Sequence, residues 1–377
     1  MIPTYRLYPD NIKAYTRLAQ KHYNYTTFTM SQVKVLLTGA SGYIGGSVLQ
    51  VLLDDFGKDI AISALVRSIA SRDGVWELGA TPIHFDGLHD IETIKKVASE
   101  HDVVISCASS LDEPSCLALI EGLGIRKQTT EKDVLYIHTS GTSNFGDHPI
   151  TQPESKDTKI RTDKDDNYGW EKEHSDAWIT RKVDVTITDA GERLGVNTAI
   201  VNPPLIYGQG TGFGNRRSIQ IPALVGVSLH EKEAVVLGNG EGLWNVAHIS
   251  DVAEFYSLIL KRFIEGKPIQ YGKNGYYFLE NGETSWLGIS KRIGEVGYSQ
   301  GLLNSKEPKA INPEDFSKAL NISFLNPYMV EVIWSSNARI SAVKSREIGW
   351  EPRMTITDFY NSFEVEVEEI VKSGPKH

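Results

Sequence analysis

The chain predicts an α/β fold, a doubly wound parallel sheet with a smaller carboxy-terminal lobe, and three observations carry that expectation. Near-continuous apolar strand segments alternate with helical patterns from Val33 to Val201, as strands covered on both faces require. The first strand runs through Thr38 into Gly39-Ala40-Ser41-Gly42-Tyr43-Ile44-Gly45, three glycines spaced three apart, and then into an apolar helical pattern at Ile44, Val48, Val51 and Leu52. At 377 residues the chain suits one large or two interlocked domains.

After that first strand and helix, Ile60–Val66 is expected as the second strand and Thr81–Phe85 as a short third. Ile91–Ser99 is expected as a helix, Asp102–Cys107 as the fourth strand, Ser115–Leu123 as a helix and Val134–His138 as the fifth strand. A long helix, about Trp170 to Leu194, then precedes the strand Asn197–Val201. The charged stretch Glu154–Asp166 is expected as a solvated loop. Residues 1–29, rich in Tyr and Thr with one acid, Asp10, are expected as a disordered extension, with Met30 a possible working initiator and a mitochondrial presequence the minority reading.

A strand that turns sharply into a helix presents unpaired N–H groups and a positive dipole end, and phosphate is the natural occupant. Gly39 permits the turn, Gly42 lets a pyrophosphate approach the backbone, and Gly45 lets helix and strand pack closely. Thr38, Ser41, Tyr43 and Ile44 complete the expected cofactor loop, joined by Ala108 after the fourth strand and Pro203 after the sixth. The second strand ends Val66-Arg67-Ser68 with no acid at its tip. An arginine there suits the 2′-phosphate of NADP(H), so NADP(H) is expected, with NAD(H) possible. Asp86, closing the third strand, either accepts from the adenine amino group or serves the turn before Gly87.

A formal net charge of −9 argues against general nucleic-acid binding. No apolar run long enough to span a membrane exists. The two cysteines, Cys107 and Cys116, form no disulfide framework, which fits a reducing, cytoplasmic setting. No paired Cys or His spacing suggests zinc.

Tyr168 and Lys172 stand four apart at a helix start, on one face. A phenol titrates near pH 10 unperturbed, and a neighbouring ammonium brings it toward the range useful for general acid/base work. The same Lys172 can grip the nicotinamide ribose.

Together the glycine loop and the Tyr168/Lys172 pair resemble the short-chain dehydrogenase/reductase superfamily, in its extended, epimerase/dehydratase-like branch. Asn202-Pro203-Pro204-Leu205-Ile206-Tyr207-Gly208-Gln209-Gly210 resembles that branch's segment lining the nicotinamide. Trp244–Ala253 resembles its return strand and helix start, and Ser341–Pro352 its carboxy-terminal signature. The resemblance covers about residues 31–355 and implies a Rossmann-type domain over 30–205 and a substrate lobe over 206–377, with about 243–262 returning to the first domain. It also implies a serine at the end of the fifth strand, where this chain has Gly141. Thr142, then Ser140, are the expected substitutes, with Ser143 also close.

The substrate side holds fewer signals. Thr211–Arg217 reads as a flexible flap before an apolar helix over Ile219–Leu229, and Arg216 and Arg217 either clamp an anionic group or stay solvated. Tyr207 and Trp244 wall the pocket or the core, His248 in the return strand near the site is either a packed, hydrogen-bonded histidine or a substrate-side catalytic one, and Asp251 is expected to N-cap the following helix. The expected function is an NADP(H)-dependent oxidoreductase moving a hydride between nicotinamide and a small carbonyl or alcohol, with Tyr168 as general acid/base. The alternatives are a nucleotide-sugar epimerase or dehydratase with retained NAD, and a non-catalytic NAD(P) sensor. A homodimer is possible.

Overall fold

Alternation along the first strand sets the layering: in β1 (Val33–Thr38), Val35 and Leu37 face one side and Leu36 the other, all fully buried. The computed structural model describes residues 32–322 and 325–374, so the extension expected over 1–29 lies outside the described residues. β1 is joined by β2 (Ile60–Val66), β3 (Thr81–His84), β4 (Val103–Ser106), β5 (Leu135–Thr139), β6 (Asn197–Asn202) and β7 (Tyr276–Phe278). They form a seven-stranded sheet in the order β3-β2-β1-β4-β5-β6-β7, parallel throughout. The order reverses between β1 and β4, so the crevice above their carboxyl ends is where such sheets bind ligands.

The helices are α1 (Tyr43–Phe56), α2 (Ile69–Glu77), α3 (Ile91–Ala98), α4 (Glu113–Thr130), α5 (Asn167–Glu173), α6 (Ile179–Leu194), α7 (Gln220–Glu231) and α8 (Ile249–Ile264). After them come α9 (Trp286–Ser299), α10 (Pro313–Leu320), α11 (Pro327–Ser335), α12 (Val343–Glu347) and α13 (Ile356–Ser373). Val48, Leu52, Phe255 and Ile259 from α1 and α8 cover one face of the sheet. Ile94, Leu119, Val183 and Ile187 from α3, α4 and α6 cover the other. A third core gathers Leu224, Trp286, Trp334 and Phe363 from α7, α9, α11 and α13. Beside it, Leu205–Tyr207 pairs with Leu243–His248, and that strand with Glu283–Ser285. Among the described residues no helix is long and apolar enough to cross a membrane.

Three local expectations change. The long helix over Trp170–Leu194 is two helices: Asp166 caps α5 through the Gly169 N–H at 2.9 Å, α5 stops at Glu173, and α6 restarts after Trp178. His174-Ser175-Asp176 are weak helix formers, and Ser175–Ala177 make only a 3₁₀ turn. Helix α8 begins at Ile249, capped by His248 rather than Asp251. Asp251 is fully buried and instead accepts from the backbone N–H of Arg353 (3.2 Å) and Met354 (3.0 Å). The charged loop over Glu154–Asp166 is not solvated throughout, because Arg161 and Asp163 are buried.

Candidate active site

Backbone packing shapes the phosphate cradle. Gly39 has φ +76°, and a Cβ on it would lie 2.7 Å from the Cys107 carbonyl carbon on the neighbouring strand end. A Cβ on Gly45 would lie 2.2 Å from the Gly39 carbonyl oxygen, so only glycine lets α1 rest on β1 this closely. Gly42 closes the turn by donating to Gly39 O at 2.8 Å, and no side chain caps the helix that begins at Tyr43. Thr38 fixes the floor, its hydroxyl accepting from the N–H groups of Cys107 (3.2 Å) and Ala108 (3.3 Å). Beside it a small enclosed hollow of about 10 Å³ is lined by Leu65, Phe85, Leu88 and Ala108 together with Ser106 and Ser109. Arg67 and Asp86 stand exposed at the tips of β2 and β3. These residues fit a dinucleotide: free first-turn amides for the pyrophosphate and a cation at the β2 tip.

The loop Gly208–Arg217 is fastened onto this cradle rather than free to swing. Tyr43 OH donates to Gly208 O at 2.6 Å, Thr211 N to Ser47 Oγ at 3.2 Å, and Asn215 N to Ser41 O at 2.8 Å. Gly212 abuts Gly46, where a Cβ would come within 2.6 Å of the Gly46 Cα.

Next to the cradle opens a cleft of about 340 Å³ at the carboxyl edge of the sheet. Tyr43 and Ile44 form one wall, Ser140–Ser143 the floor after β5, Pro203, Pro204 and Ile206 the segment after β6, and Trp178 and Thr180 the start of α6. Trp244, Ile322, Leu325, Met329, Ile333 and Trp334 close it from the carboxy-terminal lobe. Among the described lining residues none is Asp, Glu, Lys, Arg or His. Its polar groups are hydroxyls, an amide and the indoles of Trp178, Trp244 and Trp334, and Thr142 Oγ1, Trp178 Nε1 and Ser218 Oγ are buried without a partner among the described residues. Gly141 adopts extended backbone, φ −172°, and a Cβ there would meet only ordinary contacts, so the missing serine reflects no steric exclusion.

Tyr168 and Lys172 are not among the residues that line this cleft. Tyr168 OH donates to Asp189 Oδ1 at 2.5 Å and accepts from Lys172 Nζ at 2.7 Å, while Lys172 reaches Asp189 Oδ2 at 3.4 Å. Residues Trp178 and Thr180 mark the cleft end of α6, and Asp189 lies about 15 Å farther along at 1.5 Å rise per residue. Lys273, in the turn that enters β7 at the opposite edge of the sheet, stands 5.2 Å from the Tyr168 ring centroid. Burial and the Asp189 hydrogen bond raise the Tyr168 pKa, the reverse of an activated phenol. The break between α5 and α6 places Tyr168 and Lys172 on a short helix separate from the one whose start lines the cleft.

The expected substrate residues also lie elsewhere. Tyr207 is core, its ring edge-on to Phe359 and its OH donating to Thr355 O at 3.1 Å. His248 caps α8 through Ser250 N at 3.2 Å. Arg216 Nε donates to Gly210 O at 2.5 Å, and Arg217 Nη1 reaches Gly374 O at 3.1 Å, so neither forms an anion clamp over the cleft. Trp244 does line the cleft, its indole N–H donating to Ser336 Oγ at 3.0 Å.

Under the cleft floor lies a buried polar column that the sequence did not reveal. Ser140 Oγ donates to Asp184 Oδ2 at 2.5 Å. Asn144 Nδ2 reaches Asp184 Oδ2 (2.8 Å) and Glu171 Oε1 (2.6 Å), and Thr180 Oγ1 donates to Asn144 Oδ1. His138 Nε2 faces Asp184 Oδ1 at 3.5 Å. Burial pushes the Asp184 carboxyl up to about 8 and the His138 imidazole down to about 3. The one sequence signal was the polar spacing Thr180, Asp184, Thr188 on an otherwise apolar helix face.

Residues 35–272, more than half of the chain, match the NAD dependent epimerase/dehydratase family, and the chain belongs to that family. The fold and cradle thus define an NAD(P)-dependent enzyme of the extended short-chain dehydrogenase/reductase type. The chain is 27% identical over 333 residues to an oxidase, ucsJ, of an Acremonium species, covering 85% of this chain and 92% of that protein. It is 25% identical to an uncharacterized Saccharomyces cerevisiae protein, YLL056C, covering 85% and 95%. Its fold is similar to dTDP-glucose 4,6-dehydratase from Bacillus anthracis in complex with NAD, with TM-score 0.61, 13% identity and 91% and 97% of the two chains covered. It is likewise similar to UDP-glucuronic acid 4-epimerase from Bacillus cereus in complex with UDP-glucuronic acid and NAD, with TM-score 0.59, 13% identity and 90% and 100% covered.

Proposed function

We propose that this protein is an NADP(H)-dependent oxidoreductase acting on an uncharged, largely apolar carbonyl or alcohol. The observation that carries this reading is the cleft beside the dinucleotide cradle, lined among the described residues by apolar and neutral polar side chains alone. A nucleotide-sugar diphosphate buried there would lack the cation that desolvated phosphate requires, which disfavours the epimerase or dehydratase alternative. The oxidase name of the Acremonium relative points the same way, toward net oxidation or reduction of the substrate.

When bound, the nicotinamide supplies or accepts a hydride at the substrate carbon. The chain's own residues do the rest. The first-turn amides of α1 hold the pyrophosphate, with Gly39, Gly42 and Gly45 giving the backbone its close approach. Trp178, Trp244 and Trp334 exclude water and grip an apolar substrate body. The Thr142 hydroxyl and Trp178 indole N–H, without partners among the described residues, can hydrogen-bond a substrate oxygen and orient it.

Arg67 supports the NADP(H) preference, being exposed at the β2 tip where the adenosine 2′-phosphate would lie. A charge-assisted phosphate contact contributes about 1.5–3 kcal/mol, about tenfold or more in affinity. Arg67→Ala is therefore expected to weaken NADPH at least about tenfold and NADH by no more than about twofold in fluorescence titrations. Equal losses for the two cofactors would remove the basis for the preference.

A further inference from the structure

We propose that Asp184, acting through Ser140, is the proton store for the reaction at the cleft. The inference rests on the reductase reading above and deepens it, since that reading leaves the source of the proton open. Ser140 lies on the cleft floor, only 8% exposed, and Asp184 is fully buried directly beneath it. Their contact at 2.5 Å joins cleft to interior. When the carboxyl carries its proton on Oδ2, the same contact runs the other way: Oδ2–H donates to Ser140 Oγ, and the serine proton turns toward the cleft.

Every neighbour of the carboxyl is consistent with a group that holds and releases a proton. From β5 come His138, whose burial keeps it uncharged, and Tyr136 beyond it. From α5 comes the buried Glu171, whose like charge opposes a second carboxylate, and from β7 comes Tyr276, donating to Glu171 Oε2 at 2.9 Å. From α4 comes the Cys116 thiol, which burial keeps protonated. Arg181, one turn earlier on α6, donates to Asn144 O at 2.6 Å and stacks on Trp170, its attraction falling on Glu171. Among the described residues, no member of this set supplies Asp184 with a paired cation, while Asn144 and Ser140 hold its Oδ2 in place.

In the reducing direction the hydride brings the electron pair to the carbonyl carbon. The carbonyl π bond opens onto oxygen, that oxygen takes the Ser140 proton, and Ser140 takes the proton of Asp184. After the alcohol leaves, a proton from bulk solvent, relayed by a water in the cleft, reaches Ser140 as Ser140 passes its own back to Asp184, and oxidation runs the sequence backward. Because reduction needs the protonated carboxyl, its rate should fall as pH rises through the Asp184 titration, and oxidation should rise.

The test has two arms on the purified full chain. In the first, infrared spectra across pH follow the carbonyl stretch of protonated carboxylic acids. The wild type should show a titrating band that is lost in Asp184→Asn and shifted in Ser140→Ala; a band unchanged by either substitution overturns the proposal. In the second, single-turnover reduction of 4-nitrobenzaldehyde by bound NADPH is followed against pH. Both variants should be slowed about 100-fold with NADPH affinity within about twofold of wild type, and Asp184→Asn should lose the pH dependence. A wild-type pH profile in Asp184→Asn, or a wild-type rate in Ser140→Ala, overturns the relay. Ser140→Ala leaves both carboxyls in place and decides the matter if Asp184→Asn does not fold. A wild type that binds NADPH but leaves the aldehyde untouched overturns the reductase reading instead, and the infrared arm still decides whether Asp184 and Ser140 share a proton.

Discussion

Replacing Gly45 by alanine should weaken NADPH binding at least about 100-fold, a loss of about 2.7 kcal/mol. The added Cβ would lie 2.2 Å from Gly39 O, 2.7 Å from Gly39 C and 3.2 Å from the Cys107 Cβ. Two of those three are backbone atoms of the cradle itself, so no rotamer change relieves the clash. Helix α1 must move away from β1, and its first-turn amides leave the place where they converge on the pyrophosphate. Overpacking of this kind also costs about 1–3 kcal/mol of stability. Titration of NADPH fluorescence, with circular dichroism as the control for fold, checks both statements. A folded Gly45→Ala variant that binds NADPH within about threefold of wild type would show that the cradle is not the cofactor site.

The second large effect concerns stability. Asp163 is 1% exposed and accepts from four groups: Lys344 N (2.7 Å), Ser345 N (3.0 Å), Ser345 Oγ (3.3 Å) and Phe278 N (3.4 Å). It thereby caps the start of α12 from a distant loop and binds that helix to the edge strand β7. Lys344 is itself buried, its ammonium pushed down to about 8 by desolvation, with Asp163 the main opposing charge. Asp163→Ala strands buried N–H groups at about 1–3 kcal/mol each and leaves Lys344 without that counter-charge. Denaturant unfolding should register a loss of at least about 3 kcal/mol, with Asp163→Asn, which keeps one acceptor, losing less. A loss below about 1 kcal/mol in the alanine variant would mean these amides find other partners.

Much of the sheet was legible because its code is local. Strands β1 to β6 carry apolar runs, and the glycine loop states its own purpose in seven residues. The expected long helix broke at a single junction, His174–Ala177. Tyr168 and Lys172 sit four apart whether α5 continues into α6 or stops. Only the break decides whether they face the crevice or Asp189, and spacing does not encode it. The cleft walls were hidden for a different reason. Ile322, Met329 and Ile333 look like ordinary core positions, and nothing local tells that they cross the mouth of a crevice formed by Ser140 and Pro203. The same holds for Arg216, which donates to the Gly210 carbonyl, and for His248, which caps its own helix, contacts that a sequence does not display.

The central claim is that hydride chemistry takes place in the uncharged cleft, without Tyr168. The most direct measurement follows deuterium from the nicotinamide C4 of labelled NADPH into the product of 4-nitrobenzaldehyde, by mass spectrometry, for the wild type and Tyr168→Phe. Both proteins are expected to place the label on the carbinol carbon, at rates within about twofold of each other. Absence of label in the wild-type product, or its loss in a folded Tyr168→Phe variant, would contradict the account.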